Sequence, residues 1–145
     1  MINPPSEQSS LGPLDGVKVV DLTKAVAGPY AAMMLGDLGA DVIKVEPPEI
    51  GDEARQWGPP FLDNESSYFL SVNRNKRSIG VNLKSEDGRS ILYKLIERAD
   101  VFLENFKPGT TIRLKIDYGA LRRIDRKSTR LNSSHIQKSR MPSSA

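Results

Sequence analysis

The chain has 145 residues, a length that suits one domain or a piece of one. It has no cysteine, which excludes disulfides, thiolate metal sites and a cysteine nucleophile. No apolar run approaches the roughly 20 residues of a membrane span, and a formal net charge of +3 raises the question of an anionic partner.

Residues 1–13, MINPPSEQSSLGP, lack the basic and apolar regions of a signal peptide and the Arg-rich pattern of a transit peptide, and they read as a disordered arm. VKVVDL, Val17–Leu22, is β-branched and largely apolar, as a strand buried on both faces would be. In AVAGPYAAMMLGDLGA, Gly28 permits a tight turn and Pro29 suits a first helical position. Ala31, Met34, Leu35 and Leu38 recur at helical spacing, and Gly39 stops the helix. DVIKVE, Asp41–Glu46, is the next strand. A polar loop with Trp57, Pro59 and Pro60 leads to a short helix over SSYFLSV.

The run NRNKRS, Asn73–Ser78, puts three cations in six residues. IGVNLK, Ile79–Lys84, follows as a third strand. Ser85 has the character of a helix N-cap, with Glu86 and Asp87 in the first turn. Ile91, Leu92, Leu95, Ile96 and Ala99 then form one apolar stripe. DVFLENF, Asp100–Phe106, is a fourth strand, and KPGTTIRLKIDYGALRRI a less regular helical region.

From Asp125 the periodicity stops. Residues 125–145, DRKSTRLNSSHIQKSRMPSSA, resemble the in-frame translation of a sequencing-library adapter, with Ile136–Lys138 at the place of a variable barcode. They are expected to be a non-native, disordered tail. Setting aside the five cations and one anion of that segment leaves the chain close to neutral. The basicity therefore does not argue for nucleic acid.

A β-α-β-loop-β-α-β-α order implies a parallel sheet covered by helices, the α/β class. Ligands in such folds bind beyond the carboxyl ends of the strands. Three places are selected: the turn Lys24–Pro29, the segment around Leu83 and Lys84, and the turn Asn105–Gly109. The first offers small residues and a helix N-terminus. In the third, Phe106 can stack on a flat ring beside Asn105 and Lys107, and Arg113 reaches the same mouth. NRNKRS supplies guanidinium groups suited to phosphate, or to nearby carboxylates. Together these residues suit a small phosphorylated ligand with an aromatic base.

Several motifs, in order, resemble the N-terminal part of the family III CoA-transferases, the CaiB/BaiF type. They are GPLDGVKVVDLTKAVAGPYAAMMLGDLGADVIKVE, then GD..R.WGPP, SVNRNKRSI, VNLK and DVFLENFKPG. WGPP with SVNRNKRSI is most similar to the branch that moves CoA from succinyl-CoA to a dicarboxylate, as in succinate–hydroxymethylglutarate CoA-transferase. The α-methylacyl-CoA racemases share the layout and are the alternative, as is a non-catalytic CoA- or nucleotide-binding module.

The resemblance covers residues 14–124. It implies an incomplete Rossmann-like parallel sheet with flanking helices, part of a longer chain that forms an interlocked homodimer. It also implies coenzyme A or acyl-CoA and a carboxylic acid as substrates, with no resident cofactor or metal. Carried over by position, CoA contacts fall at Ala25, Val26 and Ala27, at Val81, Asn82, Leu83 and Lys84, at Asn105, Phe106 and Lys107, and at Arg113. Some members place an Arg directly after VIKVE where this chain has Pro47; a cation of NRNKRS is the candidate replacement.

In the family an aspartate attacks the acyl-CoA thioester and later carries CoA as an aspartyl thioester to the acceptor. Asp21, Asp37, Asp41 and Asp52 match positions that do not have that role. The nucleophile is expected beyond Ile124, so no catalytic residue is assigned and the chain alone is expected to be inactive. A cytoplasmic or organelle-matrix location is expected, with no membrane and no nucleic acid. An unfinished sheet leaves uncovered edges and apolar helix faces, so self-association is expected too.

Overall fold

The computed structural model describes residues 12–124. The residue 1–11 part of the expected arm and the whole tail, 125–145, lie outside the described residues. Four strands form one parallel sheet: β1 (Lys18–Asp21), β2 (Asp41–Glu46), β5 (Lys76–Gly80) and β6 (Val101–Leu103). Their order is β5-β2-β1-β6. A two-stranded antiparallel hairpin, β3 (Phe61–Leu62) and β4 (Glu65–Ser66), lies in the loop after β2. Helices are α1 (Ala27–Asp37), α2 (Ser67–Asn73), α3 (Glu86–Ile96), α4 (Thr110–Arg113) and α5 (Tyr118–Ile124).

Strand alternation builds two cores. Val19 and Val42, opposite each other in register, pack with Ala32 of α1 on one face. Val20, Val45 and Phe102 point the other way and meet Leu92 and Ile96 of α3 and Leu121 of α5. The Ser85 hydroxyl caps α3 by accepting from Gly88 N–H at 3.0 Å. Gly88 has a second reason to lack a side chain: a Cβ there would collide with the Asn82 carbonyl oxygen.

Three expectations are corrected. The stripe on α1 has the wrong phase: Ala32 and Met33 are buried, while Ala31, Met34 and Leu38 are exposed. Nearly every residue of this helix is apolar or small, so hydropathy does not choose the face. The third strand begins earlier than Ile79, because Lys76–Gly80 pairs with Val42–Glu46. Its first residues are charged and find carboxylates, so the pattern carried no strand signal. Val81–Lys84 follows the strand instead as a loop. The fourth strand is shorter than Asp100–Phe106.

Candidate functional site

Chain order explains where a site can form. From β1 the chain winds one way to β2 and β5, then crosses back to β6 on the opposite side of β1. Loops at the carboxyl ends of β1 and β6 diverge at such a reversal and leave a crevice. Asn105, after β6, bridges to the turn after β1. Its Nδ2 donates to the Lys24 carbonyl and its Oδ1 accepts from Lys24 N–H, both at 2.9 Å.

A cleft of about 690 Å³ opens over these strand ends. Leu22, Val45, Val81, Leu83 and Leu114 give it apolar walls, and Phe106 an aromatic one. Four cations line it: Lys24, Lys84, Arg89 and Arg113. Among the described residues none of the four pairs with a carboxylate. Lys24 Nζ sits 5.9 Å from the centre of the Phe106 ring. Arg89 Nη1 donates to the Lys84 carbonyl at 2.9 Å, bracing the loop from below. Uncompensated cations beside an apolar, ring-bearing wall suit a ligand that is anionic at one part and flat or aliphatic at another.

Among the described residues Glu46 is the one carboxylate in the lining, and it is committed. Arg55 grips both its oxygens at 2.8 Å, and Asp52 N–H donates to Oε2 at 2.8 Å. Burial pushes this carboxyl up. The hydrogen bonds from Arg55, Ser78 and the Asp52 N–H, with the Arg55 charge, outweigh burial and hold it at about 2. Arg55 is raised in turn, first by its hydrogen bond to Glu46.

The NRNKRS run is not part of this cleft. Arg74 pairs with Asp37 at 2.6 Å and Arg77 with Asp41 at 2.7 Å. The Lys76 side chain is buried, with Nζ 3.1 Å from Asp21 and 2.8 Å from both the Pro29 carbonyl and Asn73 Oδ1. Burial lowers its pKa, and the Asp21 charge opposes that. The anions this run meets are carboxylates of the same chain. The expectation that it replaces an Arg at Pro47 is therefore corrected. The cations that reach the cleft from helices are Arg89 of α3 and Arg113 of α4.

Of the residues singled out from sequence, Val81, Asn82, Leu83, Lys84, Phe106 and Arg113 come together in the cleft lining. Asn105 clamps the neighbouring turn, and Lys107 lines a smaller pocket of about 260 Å³ beyond Phe106. Ala25, Val26 and Ala27 lie in the turn and at the start of α1 without lining the cleft. Arg89 was missed because an Arg that follows Glu86 and Asp87 in the first turn of a helix reads as a surface charge. Lys24 was passed over for the small residues after it.

A parallel sheet with a cationic crevice at its chain reversal has the form that suits a nucleotide-like ligand. The profile of CoA-transferase family III matches residues 14–127, and the chain belongs to that family. It is 52% identical over 121 residues to the succinyl-CoA:glutarate CoA-transferase of Mus musculus, covering 83% of this chain and 28% of that protein. It is 44% identical over 121 residues to the succinate–glutarate CoA-transferase of Agrobacterium fabrum, covering 79% and 30%. Its fold is similar to the crystal structure of a CAIB/BAIF family protein from Brucella suis, with a TM-score of 0.75 and 47% identity over 79% of this chain and 31% of that one. The chain thus spans under a third of the length of these proteins. No helix among the described residues is long and apolar enough to cross a membrane.

Proposed function

We propose that the chain supplies the coenzyme A cradle of a CoA-transferase that moves CoA from succinyl-CoA to a dicarboxylate. The observation that carries this reading is the set of cations, Lys24, Lys84, Arg89 and Arg113, that line the cleft with Phe106 and have no carboxylate partner among the described residues. Phosphates of CoA meet the cations, the adenine lies against Phe106, and the pantetheine arm follows the apolar wall of Leu22, Val45 and Val81. The similarity to succinyl-CoA:glutarate CoA-transferases supports the donor and the acceptor class.

The chain alone binds CoA without transferring it. Asp21 pairs with Lys76, Asp37 with Arg74, Asp41 with Arg77 and Asp52 with Lys44, so none stands ready as a nucleophile. Glu46, held by Arg55, is equally unsuited. In the whole protein the aspartate comes from further along the chain, and two such chains form the homodimer.

Calorimetry with desulfo-CoA tests the reading. The chain is expected to bind one equivalent, and Lys84→Ala with Arg113→Ala to weaken binding by about tenfold or more, as loss of charge-assisted bonds does. Arg74→Ala with Arg77→Ala is expected to leave the affinity unchanged. The reverse pattern would move the phosphates to the basic run and sink the proposal. Incubation with succinyl-CoA and glutarate is expected to yield no glutaryl-CoA by chromatography.

A further inference from the structure

The turn after β1 is tied down from beneath by side chains that do not line the cleft. Lys44, on β2, is only 1% exposed. Its Nζ lies 2.8 Å from Asp52 Oδ2 and donates to the Thr23 carbonyl at 2.8 Å. The other Asp52 oxygen accepts from Ala25 N–H at 3.2 Å and from Ala54 N–H at 3.0 Å. Between these two anchors, Asn105 holds both polar backbone groups of Lys24. Three successive residues of the turn are thus held through their backbone by groups from β2, from the loop after it and from the end of β6.

Ala25 sits at φ 65, in the left-handed region that disfavours residues with a Cβ. A buried ion pair is a poor device for stability alone, since an apolar pair of similar volume often serves as well or better. What the Lys44–Asp52 pair adds is a single geometry. Its two charges fix the residues on either side of Lys24, and Lys24 is the residue of this turn whose side chain enters the cleft, beside the Phe106 ring.

We propose that Lys44 and Asp52 are positioning residues. They hold Ala25 in its left-handed conformation and so aim Lys24 past Phe106 at the anionic part of the ligand. The assignment rests on the reading of the cleft as a CoA cradle.

A double-mutant cycle on the 145-residue chain tests it, with desulfo-CoA as the probe. Asp52→Asn is expected to lower affinity about tenfold. In a Lys24→Ala background the same change is expected to cost less than about twofold, because the side chain it aims is gone. A full loss in both backgrounds, or no loss in either, overturns the proposal. If Asp52→Asn does not fold, Lys44→Met with Asp52→Leu carries the same comparison. That pair is expected to keep its melting temperature and still lose about tenfold in affinity. A double variant that cannot fold would make the pair a requirement of the fold and overturn the assignment.

If the unaltered chain binds no desulfo-CoA, the cradle reading fails before any variant is compared. The clamp is then judged by amide hydrogen exchange. Faster exchange at Lys24–Val26 in Asp52→Asn, with β1 and β2 unchanged, sustains it; unchanged exchange there overturns it.

Discussion

Replacing Glu46 by Gln should uncover a stability component that only an ionised carboxylate supplies. Glu46 is 4% exposed at the end of β2, and Arg55, Ser78 and Asp52 N–H all donate to it. Burial disfavours its charge, yet those donors win and hold it at about 2 against 4.5. The folded state therefore binds this proton more weakly than the unfolded chain does. Its contribution is complete above pH 4.5 and fades as pH falls toward about 2. At about 1.4 kcal/mol per pH unit the gap is worth roughly 3 kcal/mol. Urea unfolding at low micromolar concentration, from pH 7 down to pH 2, is the assay. Glu46→Gln should be less stable at neutral pH by roughly that amount, and the two curves should converge on acidification. Curves that stay parallel throughout, or a variant as stable as its parent at pH 7, would refute the reasoning.

Lys76→Met leaves Asp21 buried without its cation and is expected to destabilise by about 3–5 kcal/mol in urea; adding Asp21→Asn should restore most of the loss, and no recovery would show that the pair is not the cause. Gly88→Ala raises helix propensity but drives a Cβ into the Asn82 carbonyl oxygen, so its urea midpoint should fall, by about 1–3 kcal/mol in stability, and a rise would contradict the packing. Tyr30 and Met34 of α1 and its C-cap Leu38 are 50%, 49% and 44% exposed. Replacing Met34 and Leu38 by Lys and Glu should reduce self-association in light scattering, and an unchanged mass distribution would place the contact elsewhere.

The parallel sheet was readable because β1 and β2 are runs of Val and Ile flanked by breakers, and α3 because Ser85, Glu86 and Asp87 precede a clean apolar stripe. The basic run misled because composition cannot say which acid a cation will meet. Lys76 and Arg77 reach Asp21 and Asp41, 55 and 36 residues away, only once the strands are in register. Lys44 and Asp52 were invisible for the same reason, since a lysine between Ile43 and Val45 has no meaning until its partner folds over it. The hairpin β3–β4 did carry a signal that was overlooked. Asp63 and Asn64, both at positive φ, are residue types that accept the left-handed conformation of a tight turn. Position rather than residue type separates the two sets of cations: among the described residues those lining the cleft have no carboxylate partner, and those at the start of β5 do.

A structure of the chain with desulfo-CoA bound tests the central claim most directly. The account predicts the phosphates within hydrogen-bonding distance of Lys84, Arg89 or Arg113 and the adenine against Phe106. A ligand seated on Arg74 and Arg77, or anywhere that leaves the strand-end cleft empty, would contradict it.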